Sequence, residues 1–339
     1  MMETERHFVI ALAVLAIASA SALGGTIRDD RTDSQYLTLG ANYDNVGRII
    51  VNTPTASYLG SGTLIAPNWV LTAGHMVDDI ISGTVTFGTA QYTAESWRAH
   101  SKWSGDLLNG NDIALIKLTT DVTGGIPIAQ RYTGSDEFGQ VGLAVGYGRS
   151  GTGLTGAVTS AGTKRAGYNV IDAYYSRSPK KTPKIFLSDF DNPGDPGDSA
   201  YGSDTPLDLE YLIAPGDSGG PVFIDLGGGP LLAGVNSFGA SFDGDTDSDY
   251  GDVSGHTRVS QFNDWIDDIL AGGGGGKGGG NGGGGNGGGG NGGGRGGGKP
   301  TLFDTDMDMT VDAMFVPEPT TLTLLTIGLA GVLKRRRRQ

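Results

Sequence analysis

The chain has 339 residues, 61 of them glycine, no cysteine, and a net charge of −13. The lack of cysteine excludes disulfides, thiol catalysis and Cys-ligated zinc, so any folded domain must be held by packing alone. Glu3, Glu5 and Arg6 sum to −1 and Lys334 with Arg335–Arg338 to +5, which leaves −17 on the middle of the chain. A middle that acidic repels nucleic acid, which is therefore not an expected partner, and suits a well-solvated exported protein.

Phe8 to Ala18 is an unbroken apolar run followed by Ser19, Ala20, Ser21 and Ala22. A short apolar core that ends in small residues reads as a secretory signal peptide over residues 1–22, with cleavage expected after Ala20 or Ala22. From about Leu37 to Val259, short β-rich runs alternate with Gly, Asn, Asp and Pro: Arg48–Val51, Thr63–Leu71, Thr84–Phe87, Ile113–Leu118, Val141–Val145, Pro221–Ile224 and Leu231–Phe238. Turn-punctuated strands with no long helix between them point to an all-β, antiparallel barrel or sandwich. One helix closes the domain at residue 271. Val259, Phe262, Trp265, Ile266, Ile269 and Leu270 share a face, Ser260 is placed to cap it and Gly272 to end it.

Residues 272–300 are a glycine block punctuated by Asn281, Asn286 and Asn291. It has too little side chain to offset its backbone entropy, so a disordered, flexible tether is expected. An acidic spacer (301–316) follows. The last segment, 317–339, runs from Pro317-Glu318-Pro319 through an apolar stretch, Thr320 to Leu333, to the basic cluster. That stretch is short for a membrane span, but basic residues after it suit a membrane stop with a cytoplasmic end. Without the glycine block and both ends, roughly 250 residues remain, enough for a pair of β-barrels to bury a core.

The sharpest chemical signal is Pro215-Gly216-Asp217-Ser218-Gly219-Gly220-Pro221. A serine between glycines at a tight turn exposes its hydroxyl and lets a substrate backbone approach, and backbone N–H groups of such a turn can converge on one oxygen. The hydroxyl is a poor nucleophile without a base. Of the four histidines, His75 follows the apolar run Trp69-Val70-Leu71-Thr72-Ala73-Gly74. Asp112, at the head of Ile113-Ala114-Leu115-Ile116-Lys117-Leu118, puts a carboxylate into an otherwise buried strand, a costly placement unless it is paired. His100 and His256 read as structural.

These three segments, in the order His, Asp, Ser, closely resemble the chymotrypsin-like (trypsin-like) serine proteases. Gly146-Tyr147-Gly148, Ser237-Phe238-Gly239 and His256-Thr257-Arg258-Val259 extend the likeness, which covers about Gly25 to Leu270. The resemblance implies two antiparallel β-barrels with a catalytic crevice between them in a domain over 23–271. It implies a triad of His75, Asp112 and Ser218, an oxyanion hole from the N–H groups of Gly216 and Ser218, and protein or peptide substrates. Ser237, Phe238 and Gly239 would line the substrate, Leu212 and Ile213 would form the pocket base, and Gly239 and Ser254 its walls. A leucine at the base favours an apolar or small P1 side chain.

Departures from the family pattern carry their own expectations. Met76 stands where the family has cysteine after the histidine, which implies looser loops around the site. No Ile-Val-Gly-Gly is present, so the activation ion pair to Asp217 would need trimming to Ile27 in Gly25-Thr26-Ile27. No cofactor is required. Asp243, Asp245, Asp247 and Asp249 alternate as calcium ligands do, but the loop lacks the glycine and glutamate of an EF-hand, and a solvated acidic loop is the favoured reading. The acidic stretch Asp189 to Asp208 invites the same reading with less support.

The Pro-Glu-Pro, apolar stretch and basic end together resemble the PEP-CTERM sorting signal of Gram-negative bacteria. That implies a short membrane-anchoring helix held transiently in the inner membrane, processing by an exosortase, and a final place in the envelope or outside the cell. The sequence therefore reads as an exported serine endopeptidase. The alternative is a catalytically inactive protease-fold binding module of the cell surface or extracellular matrix.

Overall fold

The computed structural model describes residues 25–245 and 247–272. The signal peptide, the tether beyond Gly272, the acidic spacer and the sorting tail lie outside the described residues.

Strand β1 (Gly25–Ile27) and helix α1 (Asp33–Gly40) precede β2 (Val46–Asn52), β3 (Ser57–Ala66), β4 (Trp69–Thr72), β5 (Ser82–Phe87), β6 (Ala90–Ala99) and β7 (Ala114–Leu118). The strands β2 to β7 pair antiparallel in the order β2-β3-β4-β7-β6-β5, and β2 also pairs with β5, so the sheet closes into a barrel. Closure leaves no free edge. Alternation sets the faces: on β5, Gly83, Val85 and Phe87 are buried while the residues between them are not.

The second half contains β8 (Gln130–Arg131), β9 (Val141–Gly146), β10 (Ser150–Thr152), β11 (Arg165–Val170), β12 (Ala173–Tyr175), β13 (Ile185–Asp189), β14 (Tyr211–Leu212), β15 (Pro221–Asp225), β16 (Pro230–Ala240) and β17 (Val253–Arg258). Its main sheet runs β11-β9-β15-β16-β17-β13-β12, with β8 beside β16, while β10 and β14 flank β1. A side chain ties the first strand of this sheet to the last but one and to β14 of the neighbouring sheet. Asn169 Nδ2 on β11 donates to Asp189 O on β13 (2.5 Å) and to Tyr211 O on β14 (3.2 Å). One apolar core runs through both halves, joining Ile49, Leu71 and Leu115 to Val145, Val235 and the closing helix.

Three local expectations need correction. Thr63–Leu71 is not one strand, because Pro67 and Asn68 turn the chain and split it into β3 and β4. Leu37 lies in α1, a helix with no apolar stripe to reveal it; only Tyr36 and Gly40 are buried there. The closing segment is a 3-10 turn (Val259–Gln261) and then α2 (Asn263–Leu270), and Ser260 donates to Glu137 Oε1 (2.8 Å) instead of capping the helix.

The loop between β13 and β14 ends in buried acids. Asp191 and Glu210 are 7% and 1% exposed, and Asp191 Oδ1 has no hydrogen-bond partner among the described residues. Burial, with Asp189 alongside, pushes Asp191 up to about 7; burial likewise pushes Glu210 up to about 8. Both folded values exceed the unfolded ones, so the stability these groups permit is full below about pH 4 and is lost as pH rises through 7 to 8. The thermal midpoint should therefore fall between about pH 5.5 and about pH 8.5. Asp191→Asn should raise it at both pH values, and by about 3 °C or more further at the higher one. Equal effects at both pH values, measured by thermal melts, would count against this account.

Candidate active site

His75 opens a 3-10 turn (His75–Val77) that begins three residues after β4, on the first barrel. Asp112 lies just before β7 and is fully buried. Its Oδ1 accepts from the His75 backbone N (2.8 Å), and its Oδ2 pairs with His75 Nδ1 (2.7 Å). A carboxylate only accepts, so the ring proton belongs on Nδ1 and the lone pair on Nε2. Oδ2 also accepts from Ser237 Oγ (2.5 Å), and the Asp112 carbonyl accepts from Thr257 Oγ1 (2.9 Å). Both of these donors come from the second half.

Ser237 reaches Asp112 through a β-bulge. Asn236 opposes His256 and Phe238 opposes Gly255, leaving Ser237 as the extra residue of β16. A bulge re-aims the side chain it carries.

Ser218 is half-buried in the turn between β14 and β15. Its carbonyl accepts from Ser61 N on β3 (2.8 Å). At Gly219, φ is +81°, and an added Cβ would lie 2.0 Å from Thr72 Oγ1 and 3.0 Å from Ala73 N. Only glycine lets this turn press against the segment that leads to His75. Among the described residues, neither the Ser218 hydroxyl nor His75 Nε2 makes a hydrogen bond. The same holds for the backbone N–H groups of Gly216 and Ser218. Ser61 anchors this turn as well: its Oγ donates to Gly216 O (3.0 Å) and accepts from Tyr147 N (3.0 Å).

Burial alone would lower the His75 value; the charge of Asp112, its hydrogen bond and the charge of Asp78 outweigh it, and the imidazole stands above its ordinary 6.5. Asp78 is held by Trp103 Nε1, 3.0 Å from each carboxylate oxygen. The other two described histidines do no such work. His100 packs edge-on against Phe262 and Trp265, and burial pushes it down to about 4. His256 is buried against Phe186 with Nδ1 3.1 Å from Asn236 Oδ1, and burial pushes it down to about 3.

Of the expected substrate-side residues, Ile213, Ser254 and Gly239 lie side by side, whereas Leu212 is set apart. Leu212 is buried in a small cluster with Phe190 and Tyr250. The backbone N of Ile213 donates to Ser254 Oγ (3.3 Å), and Ser254 pairs with Gly239 across β16 and β17. Phe238 covers Gly255, while Gly239 is exposed. Asp217 is buried and meets Gly148 N (2.7 Å), Ala214 N (2.9 Å) and Tyr211 OH (3.1 Å); the Ile27 nitrogen is not among its partners. Of the alternating acids, Asp247 and Asp249 gather with Asp252, their ligand atoms within 4.8 Å of one another; Asp243 instead accepts from Ser241 Oγ (2.5 Å) and Asp245 N (2.9 Å).

Sequence reasoning missed Ser61, Asp78, Tyr211 and the Ser237 hydroxyl. Only Asp78, three residues after His75, carried a readable signal; the others depend on which strands meet.

A closed antiparallel barrel beside a second β-sheet, with a His–Asp pair and a Gly-Asp-Ser-Gly turn meeting at their junction, defines a chymotrypsin-like protein. A family model described as Trypsin matches residues 45–266, and the chain belongs to this family of serine proteases. A second model, the PEP-CTERM protein-sorting motif, matches residues 315–338 and marks the chain for export and surface sorting in Gram-negative bacteria. Among solved structures, HL collagenase at 1.7 Å resolution shares the fold: 22% identity, 74% of this chain and 98% of the collagenase chain covered, TM-score 0.50.

A base must be neutral to accept a proton, so kcat/KM should rise with pH along a limb centred above 6.5. Asp78→Asn should move that limb to lower pH. A pH–rate profile with its midpoint unmoved by the substitution would remove Asp78 from the electrostatics of the site.

Proposed function

We propose that the chain is a serine-type endopeptidase in which Ser218 Oγ attacks the scissile carbonyl carbon while His75 Nε2 takes its proton. The imidazolium then delivers that proton to the leaving amine, the C–N bond breaks, and an acyl-enzyme remains. Water, deprotonated by the same nitrogen, releases the acid product and restores Ser218. Asp112 holds the tautomer that presents Nε2 and stabilises the charge that appears on the ring. The Gly216 and Ser218 N–H groups bind the oxyanion, and donors aimed where charge develops are worth about 10²–10³ each in rate.

The observation that carries this reading is the coincidence of two features at one junction: a buried carboxylate fixing His75 at 2.7 Å, and a Ser218 turn whose two N–H groups have no acceptor among the described residues. An inactive binding module would need neither. An apolar or small P1 residue follows from the sequence, which has Leu212 and not an acid at the expected pocket base; of Leu212 and Ile213, Ile213 lies against Ser254.

The remaining assignments rest on sequence. A signal peptide (1–22) starts export, the protease domain (23–271) is carried on a glycine tether (272–300) and acidic spacer (301–316), and the tail (317–339) holds the chain at the inner membrane until an exosortase cuts it. The substrates are proteins or peptides of the envelope or the surroundings.

A fluorophosphonate probe should label the purified protein at Ser218, and Ser218→Ala should abolish labelling and cut peptide hydrolysis by about 10⁶-fold. No labelling of the unaltered protein would favour the binding module. Labelling that survives Ser218→Ala would place the nucleophile elsewhere. Peptide-library profiling of the active protein then reads the P1 preference directly.

A further inference from the structure

Asp217 is the pivot of the turn that carries Ser218. Its backbone N donates to Ala214 O (2.9 Å), and its carbonyl accepts from Gly220 N (2.9 Å) and Asn236 Nδ2 (3.2 Å). Fixing its side chain therefore fixes the orientation of Gly216 to Gly220. That side chain sits in a tight envelope: an added Cβ at Gly146 would lie 2.1 Å from Oδ1, and one at Gly148 2.6 Å from Oδ2. The Gly146-Tyr147-Gly148 segment thus leaves little room for any further group beside Asp217.

The donors that fill the envelope are all neutral. Oδ1 accepts from Gly148 N, and Oδ2 accepts from Ala214 N and from the Tyr211 hydroxyl. Arg165, on β11, contributes only longer-range attraction, and its guanidinium forks onto Asp33 at 2.5 and 2.7 Å. The Tyr211 ring is locked in turn, because an added Cβ at Gly25 would lie 1.8 Å from its Cζ. Ile27, whose amino group would have to be freed to reach Asp217, runs inside β1 between β10 and β14, in register with Thr152 and Tyr211.

We propose that Tyr211 is the positioning residue that holds the Ser218 turn in its working shape through Asp217, and that the enzyme therefore needs no freshly cut amino terminus to become active. The proposal rests on Ser218 being the nucleophile. Removing the hydroxyl leaves Oδ2 of the buried carboxylate with Ala214 N as its remaining donor, and the lost hydrogen bond is relieved by shifting the segment that carries it. Here that segment holds the two N–H groups meant for the oxyanion, so the loss falls on the chemical step and not on substrate binding.

The test has two arms, both on the full chain. In the first, the protein carries an added amino-terminal extension shown by intact mass to remain in place. Its rate of fluorophosphonate labelling should stay within about twofold of the untagged mature form. An extended form that is inert and gains labelling on trimming overturns the proposal. In the second, Tyr211→Phe keeps the ring against Gly25 and deletes the hydroxyl; kcat and the labelling rate should fall at least tenfold with KM nearly unchanged. Unaltered kcat in a folded Tyr211→Phe variant, or an equal rise in KM, overturns it as well. Should the variant fail to fold, the first arm decides. Failure of the nucleophile assignment itself looks different: the unaltered protein would not label, or labelling would survive Ser218→Ala.

Discussion

A buried carboxylate at the seam between two β-structures is the constraint on which the site depends. Asp112 belongs to the first barrel, yet Ser237 and Thr257, which hold its side chain and its carbonyl, belong to the second half. Taking a carboxylate out of water costs several kcal/mol unless hydrogen bonds replace the lost solvation. The replacement here needs both halves in place, since His75 alone leaves Oδ2 with a single donor. Ser61 does the reciprocal job, reaching from the first barrel to the carbonyls of Gly216 and Ser218. The two halves are thus registered by the same polar contacts that shape the site, and a small relative slip would unpair buried groups before it opened the apolar core.

Without cysteine, packing and buried ion pairs take over what cross-links would do. Met76 is 1% exposed and fills the space above Gly60, where an added Cβ would lie 2.4 Å from its Cε. The loop after His75 is thereby packed onto β3, where its lack of a disulfide suggested looseness. At the far end, Glu137 is fully buried and accepts from Arg258 Nη2 (2.6 Å), Tyr174 OH (3.0 Å) and Ser260 Oγ (2.8 Å), which fixes the entry into the closing helix. Every lone pair that matters there has a donor, the condition under which a buried pair is tolerated. Asp191 does not meet this condition, because its Oδ1 has no donor among the described residues, and the raised values of Asp191 and Glu210 make the fold favour mild acid. In the proposed mechanism His75 must be neutral to act, so stability and catalysis would pull the working pH in opposite directions.

The sequence made the His75, Asp112 and Ser218 segments legible because each sits in a short local pattern: an apolar strand before a histidine, a carboxylate opening a buried strand, a serine between glycines. The closing helix was legible for a similar reason, since its apolar face repeats at helical spacing. Helix α1 was not, because only Tyr36 and Gly40 turn inward and no stripe forms. Ser61 and Tyr211 were illegible for a different reason. A serine in a strand and a tyrosine before a turn look ordinary until β3 meets the Ser218 turn and β1 covers β14. Ser237 was read as part of a strand lining the substrate, a reading that did not place its hydroxyl; the hydroxyl turns onto Asp112 because a bulge, invisible in the residue pattern, re-aims it.

The two buried aspartates of the site differ in what they must do, and their partners differ accordingly. In the proposed mechanism Asp112 faces a charge that exists only during the reaction, beside a ring that alternates between neutral and cationic. Neutral donors alone could hold it in place but would give it nothing to stabilise. On the same reading Asp217 faces no changing charge and its task is geometric, so a donor of fixed position serves. A phenol held by packing meets that requirement, and burial pushes its own titration well above 10, so it remains a donor across the whole range in which the imidazole works. An ammonium in the same place would bring a charge that must be desolvated and an end of chain that must first be made. On the proposed reading the phenol orders the turn without either step, while Ile27 stays the last residue of β1.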